Sequence, residues 1–539
     1  MILRRCVLLL LPLLLLLASG LGLGCFSETN DDLTMVSLLR GISAAAPVAD
    51  LHLYFHAYAA VWSRLYTSFP AVPWYALTLY GLLYAATVLV FCVLEKLLRG
   101  NVPVWQQLAL GLLFFAVAWL EHGFWFNYVR VPLLLAGTGV LFAAQRAPAR
   151  WALLVGVVAF SLAWLIRPSA AGLGMLAATP GAWWLGGRRA LPMLGSGLGL
   201  AIVGAVVLQL TWSPMASTYR RLDVLKSNLN DYQLYHPTPR TAPDSLALAE
   251  ARHWMLADST LINEAMFQRV MPLRLPVFLA ETAPAKLLAV LQQLARDYFP
   301  LLLALAVVAY QVARIRTRQH WIFWLVQMGF VGLLLGLGVG LKLPPRLALP
   351  LLDLWLLAGL AFLASLPAPA LGHSIKLLLI VLALAAVPYA LKTAHRREVL
   401  LQEQYANNRK RQLISSQSGT AKVVVTDALE ETYKSVSSFS DPVFPKPVRI
   451  LSLMGWPTLD PSQGQWRQQL TGTRDFTEAL RRLATRPDVA WVLTPEGARL
   501  LNRHFSLRRQ QGEQAVRWQP SEGSIRASQP FQLYVAEVN

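Results

Sequence analysis

Long apolar runs separated by short polar stretches dominate this chain from residue 7 to residue 391. A helix that crosses a bilayer needs about 20 mainly apolar residues, because each residue adds about 1.5 Å of rise across a hydrocarbon core about 30 Å thick. The runs that approach this length predict transmembrane helices at 7–24, 74–95, 104–120, 129–145, 151–166, 171–187, 193–211, 298–314, 320–341, 347–366 and 374–391.

The basic residues that flank these runs predict an orientation. Arg4 and Arg5 place the N-terminus on the cytoplasmic side, since cytoplasmic loops carry an excess of lysine and arginine. Alternate loops are basic as that side requires, at 96–99, 146–150, 188–189 and 314–318. The loops 25–73 and 212–297 and the C-terminal region are then predicted outside. The strongly basic LKTAHRREVL after the last run favours the cytoplasmic side instead, and one miscounted span would move the C-terminal region there.

The chain divides into a transmembrane module at 1–391 and a C-terminal domain at 392–539 that begins with a helical linker at 392–413. In this domain, short β-branched stretches such as AKVVVT, PVRILSLMG and FQLYVAEV predict strands, and DFTEALRRLATRP predicts a helix between strands. Alternating strands and helices are typical of a partly parallel sheet. The predicted fold class is a polytopic α-helical membrane protein of about 11 transmembrane helices with a C-terminal α/β soluble domain.

Composition agrees with a membrane protein. The chain is 55% hydrophobic and only 14% charged, whereas soluble proteins carry about 25% charged residues. Its formal net charge of +19 favours cytoplasmic loops against anionic lipid over nucleic acid, because the basic residues are scattered among apolar spans. The three cysteines include no CxxC pair and suggest neither a disulfide framework nor a zinc site. The first apolar run is interpreted as an uncleaved helix rather than a signal peptide.

Two adjacent carboxylates, Asp31 and Asp32, follow the first span in SETNDD. An aspartate before the run LTMVSLL is a common helix N-cap, but one such residue suffices. Adjacent carboxylates repel, which raises the pKa of one of them unless a cation or donor is near. A carboxylate of this kind suits a general base. Glu121, at the end of the third span, is a further acidic candidate.

Basic residues also lie at the predicted outer ends of the spans, where the orientation rule disfavours them. Each of them alone is well explained as an interfacial anchor. Together with the carboxylates they would form an anion pocket, since arginine grips phosphate oxygens through paired hydrogen bonds. The candidate substrate-binding residues are His122, Arg130, Arg167, Lys342 and Arg346.

The first outer loop contains the stretch ADLHLYFHAYAAVWSRLYTSF, whose aromatic and apolar residues recur at helical spacing. It predicts an amphipathic helix capped by Asp50 and lying in the membrane interface. His52 and His56 are four residues apart and would share one face of that helix. With Asp31 or Asp32 they could bind a divalent metal ion, but the water-facing side of an amphipathic helix is the favoured interpretation.

This layout resembles the GT-C superfamily of integral-membrane glycosyltransferases. The resemblance covers the whole chain in architecture, and it is carried by the acidic motif ETNDD and by the weaker matches EHGFWFNYVR and LPPRLALP. It implies a polyprenyl-phosphate sugar donor, an acceptor that is a glycan, a lipid or a protein, and an inverting displacement. Asp31 or Asp32 would be the general base, and Asp31 is marginally freer because Asp32 lies nearer the following helix.

The resemblance further implies a multi-pass protein of the bacterial inner membrane, with the active site and the C-terminal domain on the periplasmic side. It implies no nucleic acid partner. It implies no particular cofactor, and it leaves the requirement for a divalent metal ion undecided. Two other classes compete. Lipid-linked glycan polymerases, ligases and flippases also carry outer-face arginines but need no base in the first loop. Transporters often show internal repeats and polar groups near mid-membrane, neither of which is evident in this sequence.

Overall fold

The computed structural model describes residues 2–100, 102–314, 320–366, 368–440, 448–521 and 530–538. The first part of the chain forms ten helices: α1 (Ile2–Leu23), α2 (Asp31–Leu39), α3 (Tyr58–Ser68), α4 (Trp74–Leu98), α5 (Val104–Phe114), α6 (Leu120–Phe124), α7 (Arg130–Gln145), α8 (Arg150–Ile166), α9 (Pro168–Gly186) and α10 (Leu191–Thr211). A π-helical turn, Phe115–Trp119, joins α5 to α6. Two short parallel strands, β1 (Phe26–Ser27) and β2 (Trp125–Phe126), hold the end of α1 beside the end of α6.

The remaining helices before the sheet follow in two groups. The segment predicted as the second outer loop contains α11 (Pro214–Ser227), α12 (Ala242–Arg252), α13 (Glu264–Val270), α14 (Leu275–Val277) and α15 (Ala283–Asp297). Four long helices come next: α16 (Phe299–Arg314), α17 (His320–Gly340), α18 (Pro345–Ala364) and α19 (Ala368–Gln417). The predicted basic residues Arg316 and Arg318, between α16 and α17, lie outside the described residues.

Eight stretches of the described chain are long and apolar enough to cross a membrane: Cys6–Leu23, Trp74–Leu98, Val104–Phe124, Pro168–Thr211, Leu275–Asp297, His320–Gly340, Pro345–Ala364 and Ser374–Gln417. Three shorter apolar helices are α7, α8 and α16. Every predicted span therefore contains an apolar helix, and Pro168–Thr211 holds two of them as α9 and α10. Leu275–Asp297 meets the same requirements although the sequence predicted no span there. The chain is a polytopic helical protein.

Helix α7 lies at the centre of the bundle, with every residue from Arg130 to Ala144 buried. It packs against α9 at very short range. A Cβ placed on Gly174 of α9 would lie 2.3 Å from the Leu133 carbonyl oxygen, so this contact requires glycine. Helix α18 is also buried, from Ala348 to Leu363, and completes the core. Both helices begin at the same end of the bundle, which we call the cavity end.

The last long helix contains the predicted helical linker. The segment 392–413 is a continuation of the final apolar helix, and α19 runs for 50 residues without a break. The structure also accounts for basic residues of the stretch LKTAHRREVL, whose charge disagreed with the predicted orientation. Lys392 and Arg396 face the buried carboxylates of Glu121 and Asp297, with Arg396 Nη1 lying 3.0 Å from Glu121 Oε2. Ion pairing with acids at the cavity end thus accounts for two of these cations.

The predicted amphipathic helix of the first outer loop is wrong in its start and in its surroundings. The helix α3 begins at Tyr58, and the preceding residues His52, Phe55 and Ala57 have positive φ angles. Its large aromatic side chains face the protein and not a lipid surface, because Phe55 and Trp62 are buried in the core. Their large rings pack against each other at 5.1 Å between centroids. Burial of these aromatic side chains outweighs the helical periodicity of residues 51–57.

The C-terminal part of the chain forms a five-stranded sheet in the order β4-β3-β5-β7-β6. Its strands are β3 (Val423–Thr426), β4 (Arg449–Ser452), β5 (Val489–Leu493), β6 (Val516–Pro520) and β7 (Gln532–Val538), and its helices are α20 (Ser462–Thr471), α21 (Phe476–Ala484) and α22 (Pro495–Gln510). Strand β3 pairs in parallel with both neighbours, and β7 is antiparallel to β5 and β6. The sequence predicted a partly parallel sheet but missed β6 and α20.

Candidate functional site

A cavity of about 590 Å³ lies at the cavity end, where both outer loops and the C-terminal part meet the bundle. Four of the predicted site residues line it, namely Asp31, Arg167, Lys342 and Arg346. They come from α2, the junction of α8 and α9, the end of α17 and the start of α18. Residues 315 positions apart in the sequence therefore face the same space. Leu173, Leu337 and Leu341 form an apolar part of the wall between α9 and α17.

Asp31 is the carboxylate of the first loop that faces the cavity. Its Oδ1 accepts a hydrogen bond of 3.0 Å from Trp456 Nε1, and its Oδ2 accepts one of 3.1 Å from Thr29 Oγ1. The N-cap of α2 is Asn30, which makes no capping hydrogen bond through its side chain. Neither aspartate is therefore the cap that the sequence suggested. Trp456 belongs to the loop after β4, so the C-terminal part contributes directly to this site.

Asp32 has a different environment from its neighbour. It is fully buried, and its Oδ1 accepts a hydrogen bond of 2.8 Å from the Tyr75 hydroxyl. Burial raises the pKa of the Asp32 carboxyl to about 8, because desolvation disfavours the charged form. Asp32 is also outside the described lining of the cavity. At neutral pH it is mainly protonated, and its position outside the lining keeps it from a ligand in the cavity.

The cations of the cavity differ in their pairing. Arg346 lies 3.1 Å from Glu28, Lys342 lies 3.0 Å from Asp231, and Lys226 lies 2.8 Å from Asp223. Arg167 has no carboxylate within ion-pair distance among the described residues. It donates instead to the Tyr128 hydroxyl at 2.9 Å and lies over the Tyr54 ring.

The described lining thus contains four cationic side chains and three carboxylates: Arg167, Lys226, Lys342 and Arg346 against Asp31, Asp223 and Asp231. The lining carries one net positive charge, and Arg167 is its only cation without a carboxylate partner among the described residues. A guanidinium held by aromatic rings presents its remaining donors in a fixed plane, which suits a phosphate group. The cavity is therefore suited to an anion with one negative charge.

Arg130 and His122 lie behind the cavity rather than in its described lining. Arg130 donates to Glu28 at 2.8 Å, and its Nη1 lies 3.2 Å from His122 Nδ1. The other ring nitrogen of His122 lies 2.8 Å from Asp353. Glu28 joins this buried chain to Arg346. Arg130 and His122 are thus positioned to hold Glu28 and, through it, Arg346, instead of contacting an anion as the sequence suggested.

Glu121 belongs to a separate cluster. Its carboxylate accepts hydrogen bonds from the Tyr389 hydroxyl at 2.8 Å and from Arg396 at 3.0 Å. It is buried and absent from the described lining of the cavity. The structure therefore gives Glu121 a role in fixing α19 against α6, and no contact with Asp31.

The two histidines of the first loop also lie apart from Asp31. His52 Nδ1 is 3.1 Å from Asp50 Oδ2, and the His56 ring lies against Trp164 at 6.0 Å between centroids. They are not on a helix, so the predicted shared face does not exist. Within the described residues, no group of three or more histidine, cysteine, aspartate or glutamate side chains is arranged to hold a metal ion.

Sequence reasoning missed several residues of this site. Glu28 stands in the quoted motif ETNDD, three residues before Asp31, and its charge was a usable signal. Lys226 and Asp223 lie on one face of α11, where an ordinary solvated helix is the simpler interpretation. Trp456 carried no signal, because only the tertiary structure brings it to Asp31. Comparisons of the chain with family models, curated proteins and solved structures found no match.

Proposed function

We propose that this protein is a membrane glycosyltransferase that moves a sugar from a polyprenyl-phosphate donor to an acceptor hydroxyl. The observation that carries the proposal is the meeting of Asp31 with four cations in one cavity of about 590 Å³. The apolar wall of Leu173, Leu337 and Leu341 offers a path for a lipid chain between α9 and α17. A ligand with an anionic head and an apolar tail matches both parts of the lining.

The charge of the cavity favours a phosphate diester over a pyrophosphate. A sugar linked to a lipid through one phosphate carries a single negative charge, which the one net positive charge of the lining neutralises. In this proposal Arg167 binds the phosphate oxygens through its free donors, and Arg346 and Lys342 stabilise the charge that grows on the phosphate as it leaves. A pyrophosphate would bring at least one further charge that the described lining does not balance.

The chemical step is a direct displacement. The oxygen of the acceptor hydroxyl forms a bond to the anomeric carbon while the bond from that carbon to the phosphate oxygen breaks. The electron pair of the broken bond leaves with the polyprenyl phosphate, the hydroxyl proton passes to Asp31, and the anomeric configuration inverts. A positioned general base contributes roughly 10²–10⁴-fold to the rate. Asp31 fits this role because it faces the cavity, whereas Asp32 is buried and mainly protonated.

In the same proposal the apolar helices of all eleven predicted spans cross the bacterial inner membrane, and the cavity and the C-terminal domain lie on the periplasmic side. Basic residues at the opposite end of the bundle support this orientation, for example Lys96 and Arg146, which donate to backbone carbonyls at the ends of α7 and α4. The pairing of Lys392 and Arg396 with buried acids removes the main objection to it.

The test compares Asp31→Asn with Asp32→Asn in purified protein that is shown to be folded. We expect Asp31→Asn to lower sugar transfer roughly 10²–10⁴-fold with unchanged binding of a polyprenyl phosphate, and Asp32→Asn to keep most of the activity. Arg167→Ala should instead weaken binding of that phosphate. Full transfer by the Asp31 variant would refute the assignment of the base.

A lipid flippase would move the donor without cleaving the sugar–phosphate bond, so release of free polyprenyl phosphate separates the two functions.

A further inference from the structure

A second cavity, of about 510 Å³, lies beside the first one. It is lined by residues from 45–52 of the first outer loop, from α11 and 256–262 of the second outer loop, and from 458–474 of the C-terminal part. None of the functions assigned above uses it. We call the first cavity the donor cavity and this one the second cavity.

The two cavities share one wall. Four segments of the chain each contribute one residue to the second cavity and a close neighbour to the donor cavity. In that order, the pairs are His52 and Tyr54, Leu222 and Asp223, Leu256 and Trp254, and Thr458 and Trp456. The separation along the chain within each pair is at most two residues. The wall is therefore one layer of side chains thick, and Trp456 stands in it with its indole on Asp31.

The second cavity is polar but nearly neutral. Its lining includes the carboxylates of Asp50 and Asp460 and the guanidinium groups of Arg467 and Arg474, which balance in charge. Hydroxyl groups of serine, threonine and tyrosine side chains supply further hydrogen-bonding positions, at Thr218, Tyr219, Thr458, Ser259 and Ser462. This contrasts with the donor cavity, which holds two more cations in its described lining.

Two buried polar atoms of this lining have unused hydrogen-bonding capacity. Neither the Tyr219 hydroxyl nor Asp460 Oδ2 has a partner among the described residues. Both side chains are only 2% exposed. A buried polar group without a partner is costly, so both groups are available to a ligand that brings donors and acceptors. A carboxylate and a phenol are common partners of sugar hydroxyls, since one accepts hydrogen bonds and the other both donates and accepts them.

We propose that the second cavity binds a carbohydrate acceptor, so that the reaction extends a glycan. This inference rests on the proposed function, because it assigns the partner that receives the sugar. A neutral polyhydroxylated ligand matches the balanced charge and the many hydroxyl groups of the lining better than an acceptor recognised through phosphate does. The terminal sugar lies against the shared wall, and its hydroxyl passes beside Trp456 to reach Asp31.

Gly464 of α20 offers a clean perturbation. It lines the second cavity, and a Cβ built on it meets no heavy atom within 4 Å. Gly464→Trp therefore fills the cavity from a helical position that tolerates a side chain, and Gly464→Ala is its matched control. Arg167→Ala is the complementary variant in the donor cavity.

The experiment measures binding of two probes to the full chain in detergent micelles. The probes are farnesyl phosphate and a panel of neutral trisaccharides that carry no phosphate, observed by saturation-transfer NMR. We expect Gly464→Trp to weaken trisaccharide binding at least tenfold and to leave farnesyl phosphate binding unchanged, with Gly464→Ala like the parent. Arg167→Ala should show the opposite pattern.

The outcomes separate this inference from the proposed function. Equal trisaccharide binding by Gly464→Trp and Gly464→Ala, or no trisaccharide binding by the parent, would overturn the second cavity as an acceptor site. Binding of an unmodified serine-rich peptide that Gly464→Trp abolishes, with no trisaccharide binding, would also overturn it and indicate a protein acceptor. Trisaccharide binding by the parent without any farnesyl phosphate binding would instead contradict the donor assignment.

Discussion

Asp32→Asn gives a quantitative test of the difference between the two adjacent aspartates. The folded protein raises the pKa of the Asp32 carboxyl from 3.8 to about 8 through burial. Between these two values the folded state holds a proton that the unfolded state has released. The folded state therefore binds more protons, and the stability contributed by this group is present below pH 3.8 and is lost as the pH rises toward 8.

The magnitude follows from the size of this window. One proton difference changes the free energy of unfolding by about 1.36 kcal/mol per pH unit. Between pH 5 and pH 7, both inside the window, Asp32 alone lowers the stability by about 2.7 kcal/mol. Asparagine has nearly the shape of the neutral acid, and its carbonyl oxygen can still accept the hydrogen bond from Tyr75. The variant should therefore fold and lose this pH dependence.

The assay is denaturant-induced unfolding of the parent and of Asp32→Asn in the same detergent at pH 5 and pH 7. Other groups titrate in this range too, but they contribute equally to both proteins, and the difference between the two proteins isolates Asp32. We expect the stability of Asp32→Asn relative to the parent to increase by about 2.7 kcal/mol from the lower to the higher pH. An unchanged difference between the proteins would refute a buried, protonated Asp32.

Two further predictions concern the surroundings of Asp31. Trp456→Phe removes the hydrogen bond to Asp31 Oδ1 while keeping an aromatic ring, and a hydrogen bond to a charged group is worth about 1.5–3 kcal/mol. We expect kcat for transfer to fall roughly 10- to 100-fold with unchanged donor binding, and an unaltered kcat would contradict a positioning role. Glu28→Gln leaves the buried Arg130 without its carboxylate and should destabilise the fold by about 3–5 kcal/mol. The control is Glu264→Gln, which breaks the exposed pair with Arg221. In the same unfolding assay it should change the free energy of unfolding by at most about 1 kcal/mol. Equal effects of the two substitutions would argue against a special role of Glu28.

The sequence was most informative where one physical requirement dominates. A bilayer requires long apolar helices, so hydropathy alone located a helix in each of the eleven predicted spans. The predicted spans did not include Leu275–Asp297, which is long and apolar enough to cross a membrane. In the structure, α15 of this segment packs beside the end of α17, with Val290 against Gly338. The periodicity of residues 51–57 also misled, since aromatic residues packed in a core can recur at helical spacing without forming a helix.

The candidate site shows the same division. The sequence by itself determined that acids and cations stand at the ends of the apolar helices, and it brought Asp31, Arg167, Lys342 and Arg346 into consideration. Only the tertiary structure decided which of them share a cavity, because side-chain burial depends on contacts between distant segments. Asp31 and Asp32 are adjacent and chemically identical. One accepts a hydrogen bond from Trp456, 425 positions along the chain, and the other is enclosed beneath Tyr75, so packing alone makes one an open carboxylate and the other a buried acid.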